Sequence, residues 1–407
     1  MPNKTELFFD TEFIDKLQDV ELQFNNPKFE GFSLTSMESY EGQGNGYYTV
    51  IKKDDVYLLF YRANNNLTHD DYKNEKTCLA VSNDGITFER VKVNQDNNKN
   101  NNILFSNKCS HNFFPIFSQK QNKFLAIGGT ENSAAGIFLL SSENYSDWQI
   151  EKKIIDKTMI LIEHLSHSNH FDSHNVLLED NNKFKIYLRD NSYDRRFVQL
   201  IETEDFNTFT KSTRVSIDTE MVYTSGIQKY PCVDDLYIGL STFAKRIGFQ
   251  NMVKSPSIIY SRDGINFKIL KQNIFNNPGQ KYFAYGLTES KNKDKFLVYH
   301  YDNEACLLEC YSFRKNGLQC AWSKRGTIIT KKMFLNSGNI SLNLKTENLK
   351  VYLFDEDDKL IMESTIDNCD CLEYKIIWKE HIPFINGRKY YLKLELTNTN
   401  IYSIFYD

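Results

Sequence analysis

The stretch SNDGITFER, from Ser82 to Arg90, returns in altered form four more times along the chain. Each copy begins with polar residues, turns through Asp, Asn or Gly, and resumes with a bulky residue at the position of Phe88. The other copies are SSENYSDWQIEK (141–152), TEDFNTFTKS (203–212), SRDGINFKIL (261–270) and RKNGLQCAW (314–322). Their separation of about 50–60 residues is close to the length of one β-propeller blade.

The composition of the repeat predicts a hairpin in each blade. An Asp-Gly pair forms a tight turn between antiparallel strands, and alternating apolar runs such as VYLLFYR (56–62) precede the turns. A stack of unrelated hairpins in a sandwich is the alternative, but the near-even spacing favours five blades. We expect one bulky residue per copy to pack its blade against the next: Phe88, Trp148, Phe209, Phe267 and Cys320.

The pattern of apolar and polar residues changes after about Lys324. The stretches NISLNLKTENLKVYLFDEDDKLI (339–361) and YYLKLELTNTNIYSIFYD (390–407) alternate between apolar and polar residues, which is typical of a β-sandwich. We therefore predict an all-β protein with a five-bladed β-propeller over residues 1–325 and a small C-terminal β-sandwich over residues 326–407. FFDTEFIDKL (8–17) is compatible with a short helix.

Composition narrows the classes of partner. The 407 residues carry 49 basic and 53 acidic side chains, a net charge of −4, and no long basic run, so we expect no nucleic-acid partner and a neutral ligand rather than a polyanion. The sequence contains no run of about 18 apolar residues, so we expect no membrane span. No secretory signal precedes the first strand. The eight scattered cysteines suit a reducing compartment, so the sequence predicts a cytoplasmic protein.

Three carboxylates at blade openings suggest chemistry. The first strand of each blade lines the central channel, and Glu41, Asp172 and Glu220 stand at the openings of blades one, three and four. Cleavage of a glycosidic bond uses one carboxylic acid to protonate the leaving oxygen and a second carboxylate as base or nucleophile. We assign Glu41 as base or nucleophile, Asp172 as modulator of the acid, and Glu220 as acid. The alternative is that these carboxylates stand at strand ends only because strand ends meet water.

Other polar side chains near these openings are predicted to bind the substrate. They are Arg62, Glu75, His111, Asn112, His174, Asn175, Arg189, Asp190, Gln228, Arg246, Tyr285 and Glu289. For His111 and His174 a role as core histidines is the alternative. We expect no cofactor, because a Gly-rich phosphate loop is absent. The cluster His164, His167, His170 and His174 lacks carboxylates at ligand spacing, so we predict no metal site.

Several of these stretches resemble one family. GYYTVIKKDDVYLLFYR (46–62), SHNFFPIF (110–117), FDSHNVLLEDNNKFKIYLRD (171–190) and EMVYTSGIQKYP (220–231) look like bacterial glycoside hydrolases similar to families 32 and 43, the furanosidase-type propellers. The tail from GTIITKKMF (326–334) onward resembles their closing sandwich, so the likeness covers residues 40–407.

The resemblance implies a carbohydrate partner, such as an oligosaccharide, a glycoside or an activated sugar. It also implies three acidic residues at the channel mouth, which by position are Glu41, Asp172 and Glu220. The sequence departs from the family where Glu-Gly-Gln-Gly (41–44) replaces the invertase-type Asp-Pro-Asn-Gly. It departs again where Phe-Asp-Ser (171–173) replaces Arg-Asp-Pro. Both departures argue against retaining, sucrose-type chemistry.

The predicted function is that of a glycosidase or transglycosidase acting on a glycosidic bond, furanosidic bonds included. One alternative is a non-catalytic carbohydrate-binding propeller, in which Tyr282, Tyr285, His111 and Arg246 hold a sugar. Another is an intracellular glycosyl-transferring enzyme of glycan biosynthesis. A scaffold for protein partners is a third, since fold alone does not exclude it.

Overall fold

The computed structural model describes residues 4–65, 74–93, 101–161, 170–191, 196–219, 221–247, 251–275, 281–379 and 387–407. Apart from the short helix α1 (Glu131–Ala134) and a 3-10 turn (Lys157–Met159), the regular structure there is β. None of the helices in these ranges is long and apolar enough to span a bilayer.

The chain forms two compact units. One comprises Pro27–Asn292 and Leu297–Ser312; the other comprises Met1–Asn26, Lys293–Phe296 and Phe313–Asp407. Four strands precede the first blade: β1 (Lys4–Leu7), β2 (Ile14–Gln18), β3 (Glu21–Phe24) and β4 (Lys28–Thr35). FFDTEFIDKL (8–17) thus leads into strand β2 rather than a helix, because Ile14–Gln18 pairs with a strand of the second unit's sheet.

Blades one to three are sequential antiparallel meanders. Blade one contains β5 (Gly46–Lys53), β6 (Val56–Ala63), β7 (Lys76–Ser82) and β8 (Glu89–Arg90), with β9 (Ile103–Phe105) also paired to β7. Blade two contains β10 (Phe114–Ser118), β11 (Lys123–Gly128), β12 (Ile137–Ser142) and β13 (Gln149–Ile155). Blade three contains β14 (Val176–Asp180), β15 (Lys183–Asn191), β16 (Arg196–Thr203) and β17 (Thr213–Arg214).

Blades four and five depart from a simple meander. Blade four contains β18 (Ser216–Ile217), β19 (Val222–Thr224), β20 (Ile227–Lys229), β21 (Tyr237–Ile247), β22 (Asn251–Ser261) and β23 (Asn266–Lys271), with β18 parallel to β23. Blade five contains β24 (Lys281–Phe283), β25 (Thr288–Glu289), β26 (Lys295–Asp302), β27 (Leu307–Arg314) and, as its outer strand, β4. The predicted five-bladed, all-β fold is confirmed.

The closing strand of blade five corrects one detail of the predicted repeat. Strand β4 pairs with β27, placing Leu34 opposite Leu308, so the fourth strand of this blade comes from the N-terminal side of the chain. The segment after Arg314 is therefore not needed in the blade. It enters the second unit, where Cys320 lies on a strand of that sheet and does not pack one blade against another.

The repeated turns share one hydrogen-bond pattern. The Ser82 hydroxyl accepts from the Gly85 backbone N–H at 2.9 Å, and an Asp84 carboxylate oxygen accepts from the Ile86 N–H at 2.7 Å. The same bonds recur with Thr203 and Asp205, and with Ser261 and Asp263. This side-chain bonding is the physical basis of the sequence repeat.

Two of the five bulky residues after the turns, Phe88 and Trp148, fill seams between blades. Phe88 of blade one lies 5.8 Å from the ring of Tyr299 in blade five. Trp148 of blade two stands edge-on to Phe113 at 4.9 Å and to Phe60 of blade one at 6.1 Å. Burying these rings supplies apolar contact between neighbouring sheets.

The second unit is a small β-sandwich built on long strands. It contains β28 (Gln319–Thr330), β29 (Met333–Phe334), β30 (Ile340–Asp355), β31 (Leu360–Lys375) and β32 (Lys389–Tyr406), joined by β1, β2 and β3. Leu342, Val351, Leu394 and Ile401 belong to its fully buried core. A division of the chain at residue 325 stays a prediction, since this unit also takes in the first 26 residues.

The turn glycine of blade one gives the first test. Gly85 has φ +77°, and a Cβ there would lie 2.7 Å from Leu297 Cδ1 and 2.8 Å from Tyr57 Cε1. We expect Gly85→Ala to lower the free energy of unfolding by about 2–4 kcal/mol, because left-handed strain adds to overpacking. Urea unfolding measures this loss.

Gly387→Ala is the matched control. Its φ is +83°, but no described heavy atom lies within 4 Å of an added Cβ. Only the backbone strain of about 1–2 kcal/mol remains. Equal losses for the two variants would show that the turn does not depend on close packing under Gly85.

Candidate active site

The inner strands of four blades meet at the centre of the propeller. The Thr49 hydroxyl of blade one lies 3.0 Å from Nε2 of His174, at the opening of blade three. Phe114 of blade two packs against His174 at 5.0 Å and against Tyr285 of blade five at 4.6 Å. The openings of these blades therefore converge, as the sequence pattern predicted.

A chain of charged groups crosses this centre. His111 Nδ1 lies 2.7 Å from a Glu75 carboxylate oxygen, and His111 Nε2 lies 2.8 Å from an Asp172 carboxylate oxygen. The other Glu75 oxygen accepts from Arg62 Nη1 at 3.1 Å. Arg62 Nη1 is also 3.3 Å from His111 Nδ1. The contact with Glu75 is shorter, so the Nδ1–H group donates its hydrogen bond to Glu75. Blades one, two and three are thus tied through one imidazole.

Backbone geometry aims Asp172 at His111. Asn112 and Phe171 adopt φ values of +61° and +68°, which are uncommon for residues with a side chain. The Asn112 amide donates to the Phe171 carbonyl at 2.9 Å, and the Asn175 amide donates to the same oxygen at 2.8 Å. Both asparagines, predicted as substrate ligands, therefore hold the loop that carries Asp172.

The protonation states follow from this pairing. Burial by itself lowers the pKa of His111, but hydrogen bonds to Asp172 and Glu75 outweigh it and raise the pKa above its usual value. Burial by itself raises the pKa of Asp172, but His111, Arg189 and Arg62 reverse the effect and lower it well below the usual range. The Glu75 pKa is lowered as well, since Arg62 and His111 outweigh its burial. The network therefore consists of an imidazolium between two carboxylates.

His174 is the neutral histidine of the site. Burial, aided by the charge of Arg62, lowers its pKa to about 3. Its ring stacks on Tyr47 at 5.4 Å, and the Arg62 guanidinium lies 4.6 Å from the centre of the Tyr47 ring. Tyr47 is thus a buried ring, 8% exposed, that is held between a neutral imidazole and a guanidinium.

A second cationic group surrounds Tyr223. The Lys254 ammonium lies 4.5 Å from the Tyr223 ring centre and 5.0 Å from that of Tyr282. The guanidinium groups of Arg189 and Arg196 lie 5.5 Å and 5.3 Å from the Tyr223 ring. The charge of Lys254 is the largest influence on Tyr223, and with Arg196 and Arg189 it lowers the Tyr223 pKa despite burial.

Arg189 links the two groups. Its Nη1 donates to the Tyr223 carbonyl at 3.0 Å, and its Nη2 lies 3.9 Å from Asp172. The Asp172 side chain is 14% exposed and Arg189 is 4% exposed. The ionised carboxylate therefore keeps a small solvent-reaching surface, while the arginine beneath it is buried.

Glu41 occupies a structural ion pair. Arg90 donates to both of its oxygens, at 3.1 Å from Nε and 2.6 Å from Nη2, and Tyr61 donates at 2.5 Å. The backbone N–H groups of Met37 and Glu38 complete its bonding. Among the described residues none of its hydrogen bonds or ion pairs involves Asp172, so the geometry does not support the predicted role of Glu41 as base.

Three other predicted ligands make contacts within the propeller. The Tyr285 N–H and carbonyl bond to Tyr48 and Val50, joining blade five to blade one. The Gln228 side chain accepts from the Leu287 N–H at 3.3 Å. The Glu289 carbonyl accepts from Lys52 and Tyr57.

Some predicted residues, or their side chains, lie outside the described part of the structure. Glu220, His164 and His167 lie outside the described residues. Asp190 and Arg246 lie on β15 and β21, but their side chains are outside the described part of the structure.

Four residues at the centre were not among the predicted ligands: Tyr47, Arg196, Tyr223 and Lys254. Lys254 is 6% exposed in the interior of β22. A lysine at an inward-facing strand position is a detectable signal, because lysine is rarely buried. Arg196 begins β16 directly across from β15, and only the register reveals its proximity to Arg189.

A cavity of 1180 Å³ lies beside this centre, between blades three and four. Arg196, Val222, Phe243 and Lys245 are in its wall, whereas Asp172, His111 and Lys254 are not. The charged network, not this cavity, therefore defines the candidate site. Within the described ranges, no group of three or more His, Cys, Asp or Glu side chains is arranged to hold a metal ion.

The sequence matches no protein-family model and no curated protein. Among solved structures it is similar to a family 43 arabinoxylan arabinofuranohydrolase from Bacillus subtilis, in complex with cellotetraose: 9% identity, 91% of this chain and 96% of that one, TM-score 0.45. It is also similar to the catalytic domain of a family 62 α-L-arabinofuranosidase from Coprinopsis cinerea. That match has 9% sequence identity and a TM-score of 0.49, and it covers 72% of this chain and 98% of the other. A Penicillium chrysogenum α-L-arabinanase complexed with arabinobiose matches with 11% sequence identity and a TM-score of 0.44, over 76% of this chain and 94% of the other. This likeness is one of fold alone.

The charged network predicts a distinctive pH dependence. Its raised pKa gives His111 a stabilising contribution that is full below its unfolded pKa of 6.5 and is lost as pH rises through the folded pKa. The lowered pKa values of Asp172 and Glu75 give contributions that are lost as pH falls through them. We expect His111→Gln to cost about 3 kcal/mol near pH 6 and less near pH 9, measured by urea unfolding across pH.

His300→Gln is the control of opposite sign. Burial lowers the His300 pKa despite its bond to Glu309 at 3.0 Å, so the wild type loses stability relative to this variant as pH falls below 6.5. A pH-independent cost of His111→Gln would contradict the proposed imidazolium.

Proposed function

We propose that the propeller is a glycoside hydrolase-like enzyme whose centre acts on a glycosidic bond. The observation that supports this most is Asp172, a carboxylate with a lowered pKa that is 14% exposed beside the Tyr47 ring. A buried charge is costly unless it is paired. The site therefore keeps an ionised, partly exposed carboxylate at the centre of the propeller, where a glycosidase needs one.

The protonation states of the side chains indicate which residue acts as base and which as acid in the proposed reaction. An ionised Asp172 suits the base or nucleophile, which must be deprotonated before reaction. This is the role that the sequence pattern gave to Glu41, whose oxygens are occupied by Arg90 and Tyr61. Glu220, two residues before β19, is proposed as the acid. His111 and Glu75 are positioning residues that keep Asp172 charged and aligned.

The reaction is hydrolysis with water as the co-reactant. The bond between the anomeric carbon and the leaving oxygen breaks, and Glu220 gives its proton to that oxygen. The oxygen of water ends on the anomeric carbon, and its proton passes to a carboxylate. Asp172 activates the water in an inverting mechanism or forms the glycosyl ester first in a retaining one.

A non-catalytic carbohydrate-binding propeller is the second candidate. One observation favours it: both Asp172 oxygens already face cations, His111 at 2.8 Å and Arg189 at 3.9 Å. A carboxylate so engaged also serves as an acceptor for sugar hydroxyl groups. Binding without turnover across a broad substrate panel would favour this candidate.

Two substitutions test the enzymatic proposal. We expect Asp172→Asn and Glu220→Gln each to lower kcat about 10²–10⁴-fold on the best substrate of a panel of furanosides, pyranosides and oligosaccharides. Asp180→Asn is the control, since Asp180 pairs with Lys185 and Lys229 at 2.9 Å each, away from the network. Unchanged kcat in both test variants would refute the assignment.

Glu41 separates the structural role from the catalytic one. We expect Glu41→Gln to lower the free energy of unfolding by about 3 kcal/mol, because Arg90 loses its buried partner. Its kcat should stay within about twofold of the wild type. A loss of kcat as large as that of Asp172→Asn, with stability intact, would restore Glu41 as the base.

A further inference from the structure

Among the described residues, which do not include Glu220, the cations at the channel centre outnumber the carboxylates that face them. Glu75 and Asp172 are shared by Arg62, His111 and Arg189. Within the described residues, no carboxylate lies within ion-pair distance of Arg196 or Lys254. The surplus of positive charge is therefore concentrated around Tyr223.

The two arginines are placed so that they repel each other. Asn191 stands opposite Arg196 and Arg189 stands opposite Val198 in the β15–β16 register, which makes Arg189 and Arg196 diagonal neighbours. Like charges at such positions destabilise a sheet. Burial, with the charge of Arg189, lowers the pKa of Arg196 to about 10. This cost within the folded protein calls for a compensating negative charge.

Unsatisfied donors point the same way. The buried Arg189 Nε and Arg196 Nη1 atoms have no hydrogen-bond partner among the described residues. Next to these two arginines, the Lys254 side chain is 6% exposed and its ammonium lies over the rings of Tyr223 and Tyr282. Buried donors are rarely left unpaired, because each loses its bonds to water.

We propose that this cationic group, Arg189, Arg196 and Lys254, binds an anionic substituent of the sugar, so that the ligand is an acidic saccharide. The substituent is an oxyanion: a carboxylate, a sulfate or a phosphate ester. This proposal rests on the proposed function in one respect, namely that the ligand is a carbohydrate.

The arrangement favours an acidic sugar over a small free anion. Tyr223 and Tyr282 lie with ring centres 6.3 Å apart, and Tyr47 lies on the Asp172 side of the site. Rings stack on the apolar face of a pyranose or furanose, while arginine donors match the geometry of an oxyanion. Asp172 would repel a free anion, whereas a sugar can keep its charged group on the Lys254 side.

The local charge differs from the charge of the whole chain. A net charge of −4 favours a neutral ligand in general, but a buried cluster of cations acts at short range in a low dielectric. The cluster therefore decides the sign of the ligand where the ligand binds.

Titration calorimetry tests the proposal with matched pairs of probes. Glucuronate, galacturonate, glucose 6-sulfate and glucose 6-phosphate are compared with glucose and galactose, and inorganic phosphate is the sugar-free anion. We expect at least one acidic sugar to bind about tenfold or more tightly than its neutral counterpart. The three acid classes distinguish the source of the oxyanion. Tighter binding of inorganic phosphate than of every acidic sugar would overturn the proposal.

Charge-removing variants tie the preference to the cluster. We expect Lys254→Met and Arg196→Gln each to reduce the preference for the acidic sugar about tenfold or more. Lys268→Met is the matched control, because Lys268 is an exposed lysine of the same blade. Lys254→Met should also keep or raise the unfolding temperature of the ligand-free protein, since it removes a buried charge that has no carboxylate partner among the described residues.

The outcomes separate this proposal from the enzymatic one. Equal binding of acidic and neutral sugars, no binding of any acidic sugar at 10 mM (about the weakest affinity that calorimetry resolves), or a preference that survives both variants would overturn the acidic ligand. Tight, cluster-dependent binding of an acidic sugar without hydrolysis of any acidic glycoside would instead keep the ligand and remove the enzyme.

Discussion

The imidazole of His111 is the point on which the centre of the propeller depends. One ring bonds Glu75 of blade one and Asp172 of blade three while itself belonging to the opening of blade two. The ring is 1% exposed and the Glu75 side chain is fully buried, so water cannot replace this partner for Glu75, while Asp172 keeps only a 14% exposed surface. Without the imidazolium, Glu75 and Asp172 would lose the partner that they share, although Arg62 beside Glu75 and Arg189 beside Asp172 would remain. The alignment of three blades and the ionisation of Asp172 thus have the same physical cause.

This arrangement explains why the site tolerates so much charge. Each of Glu75, His111 and Asp172 is costly to bury alone, and each is stabilised by the next. The chain of pairs ends at Arg189, where charge balance fails and the cations around Tyr223 begin. Among the described residues the two halves of the site therefore differ: charges are paired around His111, whereas cations predominate around Tyr223.

The fold was predictable because its signals are local. Ser82, Asp84 and Gly85 bond within a few residues, and the same turn recurs wherever the pattern recurs. Asp172 and His111 were predicted for the same reason, since blade openings converge in any propeller. Nothing in the sequence indicates the Glu41 ion pair, because its partner, Arg90, lies 49 residues away and only tertiary structure brings it close. Lys254 and Arg196 were missed because their proximity depends on strand register. Blade five was misread at Cys320 because β4 had already supplied its outer strand.

Net charge was the least informative of the sequence signals. It sums over the whole surface, whereas recognition depends on the few groups that a ligand touches. Tyr223 shows the difference: its hydroxyl has a lowered pKa through Lys254, Arg196 and Arg189, although the chain as a whole is acidic. Because three cations surround the Tyr223 ring, the ligand beside it can carry a negative charge. The same three cations that perturb it offer donors to an oxyanion, and the carboxylate of Asp172 stands close enough to orient the remaining hydroxyl groups. The propeller centre therefore separates charge across one small site: the His111 pairing lies on one side, and the Lys254 ammonium over Tyr223 and Tyr282 lies on the other.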